Sequence, residues 1–147
     1  FMGSETLYIK IIFIEYTRGV AVIELIGEWN DAINNDIMHL KRNIIELLMK
    51  EGIHQFILIG ENVMNFHGSD DEYYAEWFDE VEDADDHLTQ GWIVAVNFRD
   101  FVKEEMEKYN IDMYINIGGT LDVMNWRTLT PIKFYGKIND IISRRLN

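Results

Sequence analysis

The chain of 147 residues carries a formal net charge of -13, and hydrophobic residues make up 48% of it and aromatic residues 13%. This length and composition are typical of one folded domain with its own core, and they exclude a disordered tail. Because phosphate groups repel so acidic a chain, we expect neither a nucleic-acid partner nor a membrane partner.

The sequence contains no cysteine, which excludes disulfides, thiolate metal sites and cysteine nucleophiles. Phe1–Ser4 does not begin a secretion signal, and no apolar stretch approaches the roughly 20 residues that span a membrane. We therefore expect a cytoplasmic protein, folded as a single domain over residues 1–147, with no cofactor.

Two apolar segments, Leu7–Ile14 and Val20–Ile26, begin the chain. Both are rich in β-branched and aromatic residues, and Thr17–Gly19 supplies a turn between them, so they predict an antiparallel hairpin. Gly27 is expected to end the second strand.

A helix is predicted next, with Asn30 or Asp31 as its N-cap and Gly52 as its stop. Its apolar positions recur at helical spacing. They are Ile33, Ile37, Leu40, Ile44, Leu47 and Leu48.

The segment His54–Ile59 predicts a strand that is buried on both faces and ends at Gly60. Residues 61–69 are then expected to form a loop, and Ser69, Asp70 or Asp71 to cap a second helix. The predicted core face of that helix carries Tyr74, Trp77, Phe78 and Val81.

The remaining chain predicts a strand at Trp92–Asn97, a helix at Asp100–Tyr109 and a strand at Met113–Ile117. A last strand at Ile132–Tyr135 and a terminal helix are expected to follow. Strands that alternate with helices predict an α/β fold with a mixed sheet whose later strands are parallel. Loops at the carboxyl ends of such strands carry function, which directs attention to Gly60–Ser69.

Three parts of this order resemble a known family. They are Gly27-Glu28-Trp29-Asn30, then Phe66-His67-Gly68-Ser69-Asp70, and finally Gly91–Val96 followed by Phe101–Met106. Together they resemble the STAS family, whose domains occur in anti-sigma factor antagonists and at the cytoplasmic ends of sulfate transporters. The resemblance covers roughly Leu7 to Ile117 and implies an N-terminal hairpin plus parallel strands with helices packed on the sheet. Residues 118–147 exceed the minimal family domain and are expected to add a strand and a helix.

The resemblance also implies a function and a site. It implies a non-enzymatic regulatory domain that binds a partner protein through the loop before the second helix. The candidate binding residues are His67, Gly68, Ser69, Asp70, Asp71 and Tyr73. In the family the first serine of an Asp-Ser-Ser-Gly motif is phosphorylated.

An ungapped match of that motif places Gly68 at the first serine and Ser69 at the second. Ser69 is therefore the candidate phosphorylation site that the resemblance leaves in this loop. A phosphate on it would lie beside Asp70, Asp71 and Glu72, whose like charge opposes it, so plain N-capping is the competing role.

Charge indicates the kind of partner. No Lys or Arg occurs from Glu51 to Phe98, whereas acidic residues crowd the predicted second helix. A basic or kinase-like protein is therefore expected, and an exposed aromatic residue such as Tyr73 or Trp29 would suit a partly apolar contact.

Catalysis and metal binding have weaker signals. His67 is the one candidate general base in the predicted loop, but no nucleophile is placed to use it, so we expect no enzymatic activity and no catalytic residue. Asp83, Asp85 and Asp86 lack the turn glycine and the alternating oxygen ligands of hard-metal loops, so no metal site is expected.

Two alternatives remain open. Phe56–Asp70 superficially resembles the start of crotonase-fold enzymes, which would make the chain an acyl-CoA-binding or other small-molecule-binding enzyme fragment with a backbone oxyanion site. The chain could also be a structural subunit that forms a homodimer through a sheet edge or through residues 118–147.

Overall fold

A computed structural model describes residues 6–84 and 90–146 of the chain. Its sheet has five strands in the order of the sequence. The first two pair antiparallel and the later ones are parallel, so the predicted hairpin and mixed sheet are confirmed. The strands are β1 (Leu7–Glu15), β2 (Val20–Asn30), β3 (Gln55–His67), β4 (Trp92–Val96) and β5 (Asn116–Ile117).

Helices follow β2, β3, β4 and β5. They are α1 (Asp36–Leu40), a π-helical segment (Lys41–Ile45), α2 (Glu46–Lys50), α3 (Glu72–Asp83), α4 (Asp100–Lys108) and α5 (Pro131–Leu146), with short 3-10 turns at Ile111–Met113, Gly119–Leu121 and Trp126–Thr128. Among the described residues, none of these helices is long and apolar enough to cross a membrane.

The first helix begins later than predicted. Asn35 is its N-cap, in place of Asn30 or Asp31. The prediction that Ile33 lies on the helix core face was wrong, because it precedes the helix and 82% of it is exposed. Leu47, at the far end of the same predicted stripe, is also exposed.

The strand β3 is much longer than the sequence predicts. It continues through Gly60 to His67, and its last residues pair with the equally extended end of β2. The ring of Phe98 fills the space where a Cβ of Gly60 would lie, so this glycine provides room and does not end a strand. Gly27 adopts a φ of 111° at a register shift between β2 and β3, which makes it a bulge inside the strand. The predicted loop at residues 61–69 therefore shrinks to the residues between His67 and α3.

Buried side chains lie on both faces of the sheet. One core contains α1, α2, α3 and α4 and includes Trp29, Phe56 and Trp77. The opposite core packs the C-terminal segment against the sheet, with Phe134 and Ile138 among its members. Because both faces are covered, every residue of β4 is buried, as expected of a central parallel strand.

The C-terminal segment contains α5 but no strand among its described residues. The strand predicted at Ile132–Tyr135 was wrong, because these residues form the first turn of α5. Pro131 is at the first helical position, where its missing N–H costs nothing, and Thr130 accepts hydrogen bonds from Lys133 and Phe134. The buried residues of α5 recur at helical spacing: Phe134, Tyr135, Ile138 and Ile142.

Polar contacts join this C-terminal segment to distant parts of the sheet. The Tyr135 hydroxyl donates to Gln55 Oε1 over 2.8 Å, and the Arg127 guanidinium lies 2.8 Å from the buried carboxylate of Glu24. These contacts hold the C-terminal segment on the sheet, because each gives a buried polar group a hydrogen-bond partner.

Asn97 attaches the segment to the end of β4. Its side-chain amide donates to the Val123 carbonyl (3.0 Å) and accepts from the Val123 N–H (2.8 Å), while its own N–H donates to Asp122 (2.8 Å). The residue has a φ of 61°, in the left-handed region that asparagine tolerates better than most residues.

We predict that Asn97→Ala lowers the free energy of unfolding by about 2–4 kcal/mol, because it leaves the buried groups of Val123 unpaired and strains the left-handed backbone. Urea denaturation measures this change. Asn97→Gly removes the strain but does not restore the lost hydrogen bonds, so it should recover only part of the loss. A loss below about 1 kcal/mol for Asn97→Ala would contradict this role.

Candidate functional site

A cleft of about 300 Å³ lies at the carboxyl ends of β2 and β3. The His67 carbonyl joins its two sides, since it accepts hydrogen bonds from the N–H groups of Asp31 (2.8 Å) and Ala32 (3.3 Å). The described residues that line the cleft are Asp31, Ala32, Ile33, Asn35, Ile37, Ser69, Asp70, Glu72 and Tyr73. None of these is basic, so the cleft has an acidic wall, and its exposed apolar residues are Ala32 and the much larger Ile33.

Asp31 is the most constrained residue of the cleft, and only 5% of it is exposed. Its Oδ1 accepts hydrogen bonds from the Trp29 indole and from the Ile37 N–H, both over 2.8 Å. Its Oδ2 accepts from the Tyr74 hydroxyl over 2.5 Å. One carboxylate thus connects the end of β2, the first turn of α1 and the helix α3. The sequence suggested only an N-cap role for Asp31, because nothing local indicates that it is buried.

Burial raises the pKa of Asp31 to about 6, although its three hydrogen bonds act in the opposite direction. The nearby carboxylate of Asp36 makes a smaller contribution to this rise. Burial and the charge of Asp31 also raise the pKa of Tyr74 well above its usual value. When Asp31 is ionised, the folded protein therefore bears the free-energy cost of removing its carboxylate from water.

Three of the residues predicted for the site line the cleft: Ser69, Asp70 and Tyr73. Ser69 is exposed and does not cap α3, because Asp71 is the N-cap residue. The N-terminal turn is instead supported by Asp70, whose Oδ1 accepts from the Glu72 N–H over 3.1 Å. The hydroxyl of Ser69 is left at the surface of the cleft.

The other predicted residues lie outside the lining. His67 is exposed at the end of β3, with its Nε2 3.1 Å from the Asn65 side-chain amide. Asp71 accepts from the Tyr114 hydroxyl over 3.3 Å, away from the cleft. The expectation that Trp29 is exposed was wrong: it is fully buried and its ring contacts Phe66 and Tyr74.

Gly68 is covered by the ring of Tyr109, which fills the space where a Cβ would lie. Gly68 is not among the residues with a positive φ, so it is a glycine for reasons of space and not of backbone conformation. The position that matches the family's phosphorylated serine is therefore closed by an aromatic side chain.

One group of carboxylates among the described residues has the spacing of a metal site: Glu46, Glu76 and Glu80. The ammonium of Lys41, a residue that is fully buried, lies 3.2, 3.0 and 2.7 Å from them. Burial lowers the pKa of Lys41, but the hydrogen bonds of these carboxylates outweigh it and the net shift is upward. The lysine already supplies the positive charge, so this group does not fit a cation.

Of the acidic residues weighed as metal ligands from the sequence, Asp85 and Asp86 lie outside the described residues.

Solved structures that share this fold include two of SpoIIAA. The anti-sigma factor antagonist SpoIIAA in its unphosphorylated form superposes with a TM-score of 0.59 at 13% identity, over 86% of this chain and 96% of that chain. The Bacillus cell fate determinant SpoIIAA in the phosphorylated form gives a TM-score of 0.52 at 12% identity, over 82% and 96%. The predicted STAS-like fold is thereby confirmed. No family model matches the sequence, and no curated protein matches it.

We predict that Asp31→Asn removes a pH dependence of stability. The unfolded chain loses this proton near pH 3.8 and the folded chain near pH 6, so the free energy of unfolding falls as pH rises from about 4 to 6. The loss is at most about 3 kcal/mol. An asparagine oxygen can keep both N–H donors, so the variant should be the more stable protein at pH 8 by about 1–3 kcal/mol.

Urea titrations from pH 4 to pH 8 measure this difference. Asp31→Ala, which removes the acceptors as well as the charge, should destabilise the protein at every pH. Parallel stability profiles for the native protein and Asp31→Asn would contradict the raised pKa.

We predict that Gly68→Ala costs about 1–3 kcal/mol, because the new methyl group must displace the ring of Tyr109. In a Tyr109→Ala background the same substitution should cost almost nothing. A double-mutant cycle by urea denaturation gives the coupling, and additive effects would show that the ring does not restrict this position.

Proposed function

We propose that the chain is a non-enzymatic regulatory domain that binds a partner protein through Asn65–Asp71 and the start of α3. The observation that carries the proposal is the acidic cleft, which lies at the carboxyl ends of two parallel strands in a fold shared with an anti-sigma factor antagonist. In open α/β sheets this edge is where binding sites form. A cytoplasmic location accompanies this proposal.

The surface chemistry favours a partner whose contact surface carries both basic and apolar groups. Asp70 and Glu72 are exposed beside Ile33, which projects into solvent. An exposed isoleucine ringed by polar groups is the pattern of a contact centre with a polar rim. A basic or kinase-like protein surface would match both features, because it would pair with the carboxylates while covering the isoleucine.

Ser69 is the only hydroxyl-bearing residue from Asn65 to Asp71, and it is exposed. Within this proposal, any phosphorylation of the loop falls on Ser69. A phosphate there would lie among Asp70, Asp71 and Glu72, so it would add to an existing negative field and destabilise the loop by like-charge repulsion.

The catalytic alternative gains no support from the site geometry. His67 is paired with Asn65, and residues 61–67 lie in β3 where the crotonase-like alternative expects a loop. The two similar structures are described as an anti-sigma factor antagonist and a cell fate determinant, and neither description is of an enzymatic activity. The dimerisation alternative stays a prediction, which light scattering over a range of concentrations tests.

The test measures binding of purified anti-sigma factors from the source organism by titration calorimetry. Asp70→Lys reverses a charge on the cleft, and Asp140→Lys makes the same change on α5, which packs on the opposite face of the sheet. We expect Asp70→Lys to weaken binding about tenfold or more and Asp140→Lys to leave it unchanged.

Equal weakening by the two variants would show that net charge matters and the cleft does not. Binding of no anti-sigma factor would contradict the partner class. Asp140 is exposed and its ion pair is with Arg144, one turn along the same helix, so its replacement should hardly affect stability.

A further inference from the structure

A second cavity, of about 190 Å³, lies beyond the short edge strand β5. It is bordered by α3, the start of β4, the segment before β5 and the end of α5. Its described lining residues are Phe78, Val81, Glu82, Gln90, Gly91, Trp92, Ile93, Tyr114, Asn116, Ile142 and Arg145.

The cavity exists because β5 is too short to cover β4. The two residues of β5 pair only with Val94 and Ala95, so the first residues of β4 have no partner strand on that side. The side-chain amide of Asn116 takes the place of one missing ladder bond and donates to the Ile93 carbonyl over 2.9 Å. The space that a longer strand would fill is left between α3 and α5.

The walls of the cavity combine aromatic and aliphatic side chains with the polar groups of Glu82, Gln90, Asn116 and Arg145. The rings of Phe78 and Tyr114 contact each other with 5.7 Å between their centroids. Trp92 is almost buried and is held by stacking on Tyr135 at 6.2 Å, and Ile142 is also buried. An apolar cavity of about 150 Å³ is large enough to bind benzene, so this one has room for a single aromatic ring.

One charged group stands out in this lining. The Arg145 guanidinium donates to the Thr120 hydroxyl, but it has no carboxylate within ion-pair distance in the described part of the chain. Its neighbour Arg144, by contrast, pairs with Asp140. A guanidinium has five N–H donors, so Arg145 has donors besides the one that bonds to Thr120, and a guanidinium suits a carboxylate best.

We propose that this cavity binds a small aromatic monocarboxylate, with its ring among Phe78, Trp92 and Ile142 and its carboxylate at Arg145. The ring supplies apolar contact, and the ion pair gives the site its preference for an anion. This inference is independent of the proposed partner loop, which lies at the other end of α3.

The test uses 4-fluorobenzoate as the probe, observed by fluorine NMR in the presence of the full chain. We expect binding with a dissociation constant on the order of 1 mM, as suits a ligand of this size. The neutral isostere 4-fluorobenzamide should bind about tenfold more weakly, because it cannot form the ion pair.

Two matched variants separate the site from general charge effects. Arg145→Gln should weaken 4-fluorobenzoate binding about tenfold, whereas Arg144→Gln, which changes the net charge equally, should not. Both residues are exposed, so both variants should fold. The amide spectrum places the ligand: the indole resonance of Trp92 should shift, and those of Trp29 and Trp77 should not.

Absence of binding to the native protein up to about 10 mM would overturn the proposal. Equal binding of the amide, equal effects of the two arginine substitutions, or shifts that leave Trp92 unchanged would overturn it as well.

Discussion

A single buried carboxylate connects most of the elements around the candidate site. Asp31 receives hydrogen bonds from Trp29 on β2, from the backbone at the start of α1 and from Tyr74 on α3. Removing such a charge from water is costly, and the cost is tolerated only where several donors compensate it. Hydrogen bonds to this one carboxylate hold the start of α1, the indole of Trp29 and the hydroxyl of Tyr74 in place beside the cleft.

The elements that the sequence predicts well are those whose pattern is local. Segments rich in β-branched and aromatic residues indicated the hairpin, and the apolar runs at residues 54–59 and 92–97 indicated two parallel strands. Glycine misled the prediction at Gly27 and Gly60, because a glycine can end a strand, form a bulge or make room for a ring such as that of Phe98. The sequence around residues 132–135 is apolar enough for a strand or a buried helix, and only its packing against the sheet decides between them.

The candidate site was also predictable only in part. The strand order predicted a site at the carboxyl edge of the sheet and the resemblance selected the loop before α3, and three of the predicted residues, Ser69, Asp70 and Tyr73, line the cleft. Asp31 contributes from a different loop, and its importance comes from burial that no local pattern reveals. Gly68 matched a family position by alignment, yet its surroundings are set by Tyr109, which lies 41 residues later and cannot be read from the motif itself.

The hydrophobic cores on the two faces of the sheet differ in when they can form during synthesis. The core that holds α1 to α4 is built from neighbouring strand and helix units, so it can assemble as the chain emerges from the ribosome. The opposite core needs contacts between residues 80 and 103 positions apart, as in Gln55 with Tyr135 and Glu24 with Arg127. Closing such long loops is slow and costs entropy. An apolar face that includes Val22, Ile57 and Val94 therefore stays exposed until α5 has been made, which is the interval in which a nascent chain of this kind is most open to aggregation and to chaperones.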